Sequence, residues 1–343
     1  MLQVLSSRVQ HNCNISDARH GADYQMCTFL MKMREYYRWE KRLPYGARLP
    51  REEVGSWLAQ REQLWERLED QDYLPLEIGG ERLDPFEADR INERLVADGL
   101  VYSAGLGRNA KPHFFLGRLE RCQQPGGYSV FISDREYARD LGAPPAMTQG
   151  NTIYIRRDSL RRMVWEKLES WRWSRPDNAL GRAFACYDCD ADLEGALDAM
   201  TEAELESVLL HELGEYKAGL MLGEDWNRVV LDLAGTPAEI MARAVRDHLA
   251  DCLVTLPALA DRADPPRLHF YLGNLTHMRR EIFPGLETAY AEWQATGSTA
   301  AIKSLARRGR EHWQRVAMRL LECGRSGSDP ASEVIEMVRR EAL

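Results

Sequence analysis

The chain has no stretch approaching the roughly 18 to 20 apolar residues that a membrane-spanning helix needs. Its opening, MLQVLSSRVQHNCNISDARH, lacks the apolar centre and the small-residue cleavage site of a secretory signal, so a cytoplasmic protein is expected. A disulfide framework is missing too. The seven cysteines are an odd number scattered over 343 residues, which fits reduced thiols, some of them (Cys252, in an apolar run) simply small buried hydrophobes. Nor is there an excess of positive charge. At a formal net charge of −8 the chain as a whole is not drawn to phosphate backbones, and nucleic-acid binding is not expected. Internal repeats and low-complexity segments are absent.

What is present is an ordinary globular composition, 44% hydrophobic and 29% charged, in a chain long enough for two domains. Apolar periodicity predicts helices over Asp23–Lys41, with Met26, Phe29, Leu30, Met33 and Tyr37 on one side, and over Arg51–Leu68, with Trp57, Leu64 and Trp65 as core residues. After a helix at Pro85–Asp98 the period changes. LVYSAGL, the turn GRNAKP and HFFLGRLERC outline a hairpin, and short strands follow at Tyr128–Ile132 and Thr152–Ile155 with SDREYARDLG read as helix between them. Helix resumes over Ser159–Trp173 and dominates from Thr201 onward. The expected fold is α+β, mainly helical, with a small central sheet. The expected divisions are a helical region over 1–75, an α+β core over 76–262 and a helical region over 263–343.

Chemistry concentrates in TEAELESVLLHELGEYKAG, Thr201–Gly219. Thr201 and Glu204 have the spacing of a capping box, and Leu209, Leu213, Tyr216 and Leu220 make an apolar stripe. At about 100° per residue, His211 and Glu215 share the adjoining face, the spacing that lets two side chains grip one ion, with Glu212 between the stripes. A second helix follows Thr236-Pro237, with Glu239 completing a second capping box. In EIMARAVRDHLADCLVTL, His248 falls within the stripe of Met241, Val245, Leu249 and Cys252 and is expected to face inward as a third ligand. Asp251 flanks that stripe as a fourth ligand or an orienting carboxylate, and Asp247 is expected to project away.

The segment from Thr201 to Gly219 resembles the active-site helix of zincin metallopeptidases, and a strand near Thr152–Ile155 ahead of a helix suits that architecture. The resemblance implies a zincin-like helix pair, zinc on His211, and Glu212 as general base toward the water that zinc activates. Glu215 stands where that family has its second histidine, and the family's downstream acidic ligand has no clean counterpart. The chain as a whole, with its HNCNISDARH opening, also resembles bacterial proteins of unassigned function, which implies no mechanism.

The expectation is therefore a metal-dependent hydrolase, peptidase-like, with a divalent metal on His211, Glu215, His248 and Asp251 and with Glu212 as catalytic base. Zinc is favoured, while the oxygen-rich set also suits iron or manganese. Two alternatives stay open: a non-haem iron enzyme using the same ligands, and a non-catalytic interaction or regulatory protein on a degenerate scaffold. The substrate is not legible. Among weaker features, Cys186 and Cys189 form a lone CxxC without the second pair that structural zinc needs. Ser16 or Asp17, in the cluster His11–Asp17, is expected to cap a following helix, with metal or substrate contact as the other option. Arg156, Arg157, Arg161 and Arg162 read as a solvated helix start. The Pro85–Asp98 helix and the hairpin after it resemble a winged helix in outline, without its basic face.

Overall fold

The computed structural model describes residues 2–326 and 330–343. It is an α+β protein, mainly helical, whose chain divides into two compact units. The first takes residues 1–107, 111–165 and 192–198; the second takes 108–110, 166–191 and 199–343.

The first unit opens with α1 (Leu2–His20), α2 (Met26–Lys41) and α3 (Arg51–Leu68). A hairpin of β1 (Leu76–Ile78) and β2 (Glu81–Leu83) leads to α4 (Ala88–Leu95). A mixed sheet follows: β3 (Leu100–Leu106), β4 (Pro112–Gln123), β5 (Ser129–Arg139), β6 (Ala146–Gln149) and β7 (Thr152–Arg156). The strand order is β3-β4-β5-β7-β6, with β5 and β7 parallel and the other pairs antiparallel. Leu5, Val9 and Cys13 of α1 pack with Leu95, Tyr102, Phe114 and Leu116, while Met33, Tyr36, Trp57 and Trp65 form a separate cluster from α2 and α3.

Two expectations fail in this unit. The stretch SDREYARDLG is not a helix, because Ser133–Arg139 continues β5, paired with β4 through two register shifts. Here the ladder and its buried residues override local helix preference. Ser16 and Asp17 cap nothing either, since they lie inside α1 and are fully buried. Ser16 Oγ donates to Pro112 O, and the Asp17 carboxylate accepts from Lys111 Nζ at 2.8 Å and from Leu141 N at 2.8 Å. Asn12 exchanges two hydrogen bonds with the Leu74 backbone. The polar opening motif is thus the seam between α1 and its surroundings, each buried group satisfied.

α5 (Arg157–Ser174) and α6 (Ala179–Phe184) precede the long α7 (Leu193–Leu222). The second unit continues with α8 (Glu224–Asp232), α9 (Pro237–Ala250), α10 (Leu256–Arg262), α11 (Pro265–Asn274), α12 (His277–Ile282), α13 (Gly285–Thr296), α14 (Ala300–Ser326) and α15 (Pro330–Arg340). Trp226, Met241, Val245, Leu249, Phe283, Trp313 and Leu320 centre its core.

Thr201 is not a helix start. Asp192 caps α7 instead, its carboxylate accepting from Gly195 N at 3.0 Å, and Thr201 sits buried inside the helix. The leucine stripe is not the buried one either. Leu220 is 66% exposed, whereas Glu212, Gly214, Ala218 and Leu222 are buried. Thr236 does stand at the N-cap of α9, but the box does not close, because Glu239 accepts from Gly235 N and Asn109 N. Between α9 and α10 the backbone runs as a π turn over Asp251–Thr255. Pro257, two residues further, lacks the N–H that an α-helical bond to residue 253 would use, and its ring crowds that carbonyl. Among the described residues, no helix is long and apolar enough to cross a membrane.

Candidate metal centre

α7 and α9 cross at one point of backbone contact. A Cβ on Gly214 would stand 2.3 Å from the carbonyl oxygen of Ala250. Only glycine permits this approach, and the residues flanking the crossing are consequently brought together: His211 and Glu215 from α7, Asp247 and Asp251 from the α9 side.

His211, Glu215 and Asp247 each bring one ligand atom to within 4.8 Å of the others, all three half-buried. His211 Nδ1 is engaged by Asp251 Oδ1 at 2.8 Å. The fully buried Asp251 carboxylate also accepts from Tyr271 Oη at 2.7 Å and from Arg279. Burial alone would push Asp251 up, but Arg279 and His211 hold it well below the usual carboxylate range. Its lone pairs are thereby committed, so it orients the imidazole and leaves Nε2 as the ring nitrogen free to bind an ion.

The acids are under mutual strain. Burial and the charge of Glu215 push Asp247 up to about 6, against the pull of Arg279. Burial disfavours a charged His211, yet Asp251, Asp247 and Glu215 together raise it to about 10. Without an ion, then, the imidazole carries a proton among these carboxylates at neutral pH, and a divalent cation would take that proton's place. Arg246 pairs with Glu215 at the edge of the group.

The structure places the expected residues differently from one another. His211 and Glu215 are adjacent, as their spacing suggested. Asp247 joins them instead of projecting away, because the Gly214–Ala250 crossing lies on the polar flank of α9. Asp251 stands behind His211. His248 is buried outside the group: its Nε2 donates to Arg279 O at 2.9 Å, and its ring packs against Trp313 and Phe283. Burial and Arg279 push it down to about 3, so it is a neutral core histidine. Glu212 is buried and is not one of the three clustered residues. Tyr271 and Arg279 carry no signal in the sequence reading, and Asp247 is read there as facing away. The available signal was the pair of small residues, Gly214 and Ala250, each flanked by acids or histidine at helical spacing.

Elsewhere, Cys186 is exposed and Cys189 buried, both as free thiols. His269 Nδ1 lies 2.7 Å from Tyr290 Oη, and His277 is solvent-exposed.

Fold and site together define a mainly helical α+β protein whose second unit gathers an imidazole and two carboxylates at a helix crossing. The chain belongs to the family of unknown function DUF6866, whose N-terminal domain matches residues 4–156 and whose C-terminal domain matches residues 161–342. No curated protein and no solved structure matches it.

Proposed function

We propose that the protein is a metal-dependent hydrolase, peptidase-like, holding a divalent cation on His211, Glu215 and Asp247, and that it works in the cytoplasm with its cysteines reduced. The observation that carries this is the engagement of His211 Nδ1 by a carboxylate whose other contacts are already filled. That arrangement is the usual support of a metal-binding imidazole. Three protein ligands, as opposed to four, fit a site that keeps a position for water. One nitrogen and two oxygens suit Zn²⁺, Mn²⁺ and Fe²⁺ alike, and the zincin resemblance favours Zn²⁺.

Such an ion, when bound, would supply Lewis acidity, lowering the pKa of a water molecule from about 15.7 toward about 7. The chain's own residues do the rest. Asp251 fixes the imidazole, Arg246 and Arg279 hold the acids in place, and Glu212, by the zincin resemblance alone, would serve as the base toward the water. The non-haem iron alternative draws on a second imidazole, and His248 is spent on the Arg279 carbonyl.

Calorimetric titration of the tag-free, chelator-treated chain with Zn²⁺ is expected to give one site per chain. Glu212→Gln should keep that site and lose turnover on a panel of peptide and ester substrates. Absence of a site would leave an ion-pair network fastening two helices and would support the non-catalytic alternative. Loss of the site in Glu212→Gln would make that residue a ligand.

A further inference from the structure

The first unit contains a cavity of about 1170 Å³, lined by α1, α2, β5, the start of α5 and the loop around Tyr45. Seven arginines and five carboxylates line it. Three of these arginines are matched by acids: Arg38 with Glu35, Arg118 with Asp134, Arg161 with Glu194 and Asp198. Glu136 receives Arg156 and Ser159 Oγ.

Arg139 differs. It is 1% exposed, and no acid among the described residues lies within 4.0 Å of its guanidinium. Its Nε has no hydrogen-bond partner, and its Nη2 reaches only the Glu35 carbonyl at 3.5 Å. The guanidinium lies instead over Tyr36 and Trp39, 5.3 and 5.0 Å from their ring centroids. Aromatic faces attract a cation but fill none of its donors; Glu136 balances the charge only from beyond contact distance, and a buried donor left unfilled is costly. A second polar atom in the same wall, Glu136 Oε2, is also buried without a partner. A vacant donor and a vacant acceptor beside a cavity of this size describe a ligand site.

We infer that this cavity binds a small organic anion, its carboxylate or phosphate group on Arg139 and a hydroxyl or amino donor toward Glu136. The volume exceeds the roughly 300–1,000 Å³ common for small-molecule sites, so the ligand extends beyond a bare inorganic ion. Arginine's planar fork matches either oxyanion, and Trp39 offers an apolar surface to the remainder.

The test uses the full, chelator-treated chain at fixed ionic strength, with inorganic phosphate, succinate and malate as probes, followed by calorimetry and thermal unfolding. Malate, which adds a hydroxyl to succinate, is expected to bind more tightly than succinate; comparison with phosphate separates a carboxylate from a phosphate source. Arg139→Met should weaken binding about tenfold or more while leaving ligand-free melting unchanged or raised, because a buried, unfilled donor has gone. Arg139→Lys, which keeps the charge without the fork, should bind at least about threefold more weakly than the native chain. The proposal is overturned if the native chain responds to none of the three anions. It is overturned equally if Arg139→Met binds as well as native, or if its ligand-free form melts far lower, which would make Arg139 structural.

Discussion

At the scale of single residues, the proposed centre is tested most sharply at Asp251. That residue contacts His211, Tyr271 and Arg279 at once. Asp251→Asn is expected to lower Zn²⁺ affinity about 10- to 100-fold, measured by calorimetry, because the imidazole loses its orienting anion. It should also destabilise the fold by about 3 kcal/mol in urea unfolding, since Arg279 keeps its charge in a buried place. His248→Gln, by contrast, should leave zinc affinity within about twofold of native, whatever it does to packing. A separate test concerns Glu204, buried on α7. Burial pushes its carboxyl up to about 8 from an ordinary 4.5, against the opposing pull of Arg267. A raised pKa means that the folded state keeps a proton that the unfolded chain has released. The stability Glu204 contributes is therefore full below about pH 4.5 and lost as pH rises through about 8. Glu204→Gln should flatten that decline, gaining on the order of 2 kcal/mol at pH 8 in unfolding curves compared with the native chain.

At the scale of elements, the crossing of α7 and α9 decides which side chains meet. Gly214→Ala would drive a methyl group against the Ala250 backbone, which has no rotamer by which to move aside. A loss of about 2 kcal/mol or more is expected, together with weakened zinc binding. Gly219→Ala on the same helix, with nothing within 4 Å of its Cβ, should instead stabilise by up to about 1 kcal/mol. The pair separates contact from helix propensity. Elements set by their own periodicity were legible in the sequence: the helix over Arg51–Leu68 and the hairpin of β3 and β4 appear where the pattern puts them. Elements set by partners were not. Ser133–Arg139 reads as helix and becomes strand because β4 lies beside it, and α7 extends back to Leu193 from a cap, Asp192, that no apolar run announces. Likewise, the stripe of Met241, Val245, Leu249 and Cys252 points Asp247 outward, whereas a second contact of the same segment, Ala250 against Gly214, turns its flank toward α7.

At the scale of the whole molecule, the two units carry separate chemistry, an arginine-lined cavity in the first and the acid–imidazole group in the second. The cavity escaped sequence reading because Arg38, Arg139 and Arg162 come from elements far apart in the chain and become a wall only through folding. The acid–imidazole group was partly legible because two of its three members lie on one helix at i and i+4. Zinc bound only by the folded state should raise stability by about 2.7 kcal/mol at a free concentration about 100-fold over its Kd, seen as a higher melting temperature that chelator reverses. The most direct measurement is anomalous X-ray scattering at the zinc edge from crystals of the zinc-loaded chain. One peak bonded to His211, Glu215 and Asp247, with Asp251 still holding the far side of the imidazole, is the predicted result. A peak at another set of side chains, such as Cys186 and Cys189, or no peak at the helix crossing, would contradict it.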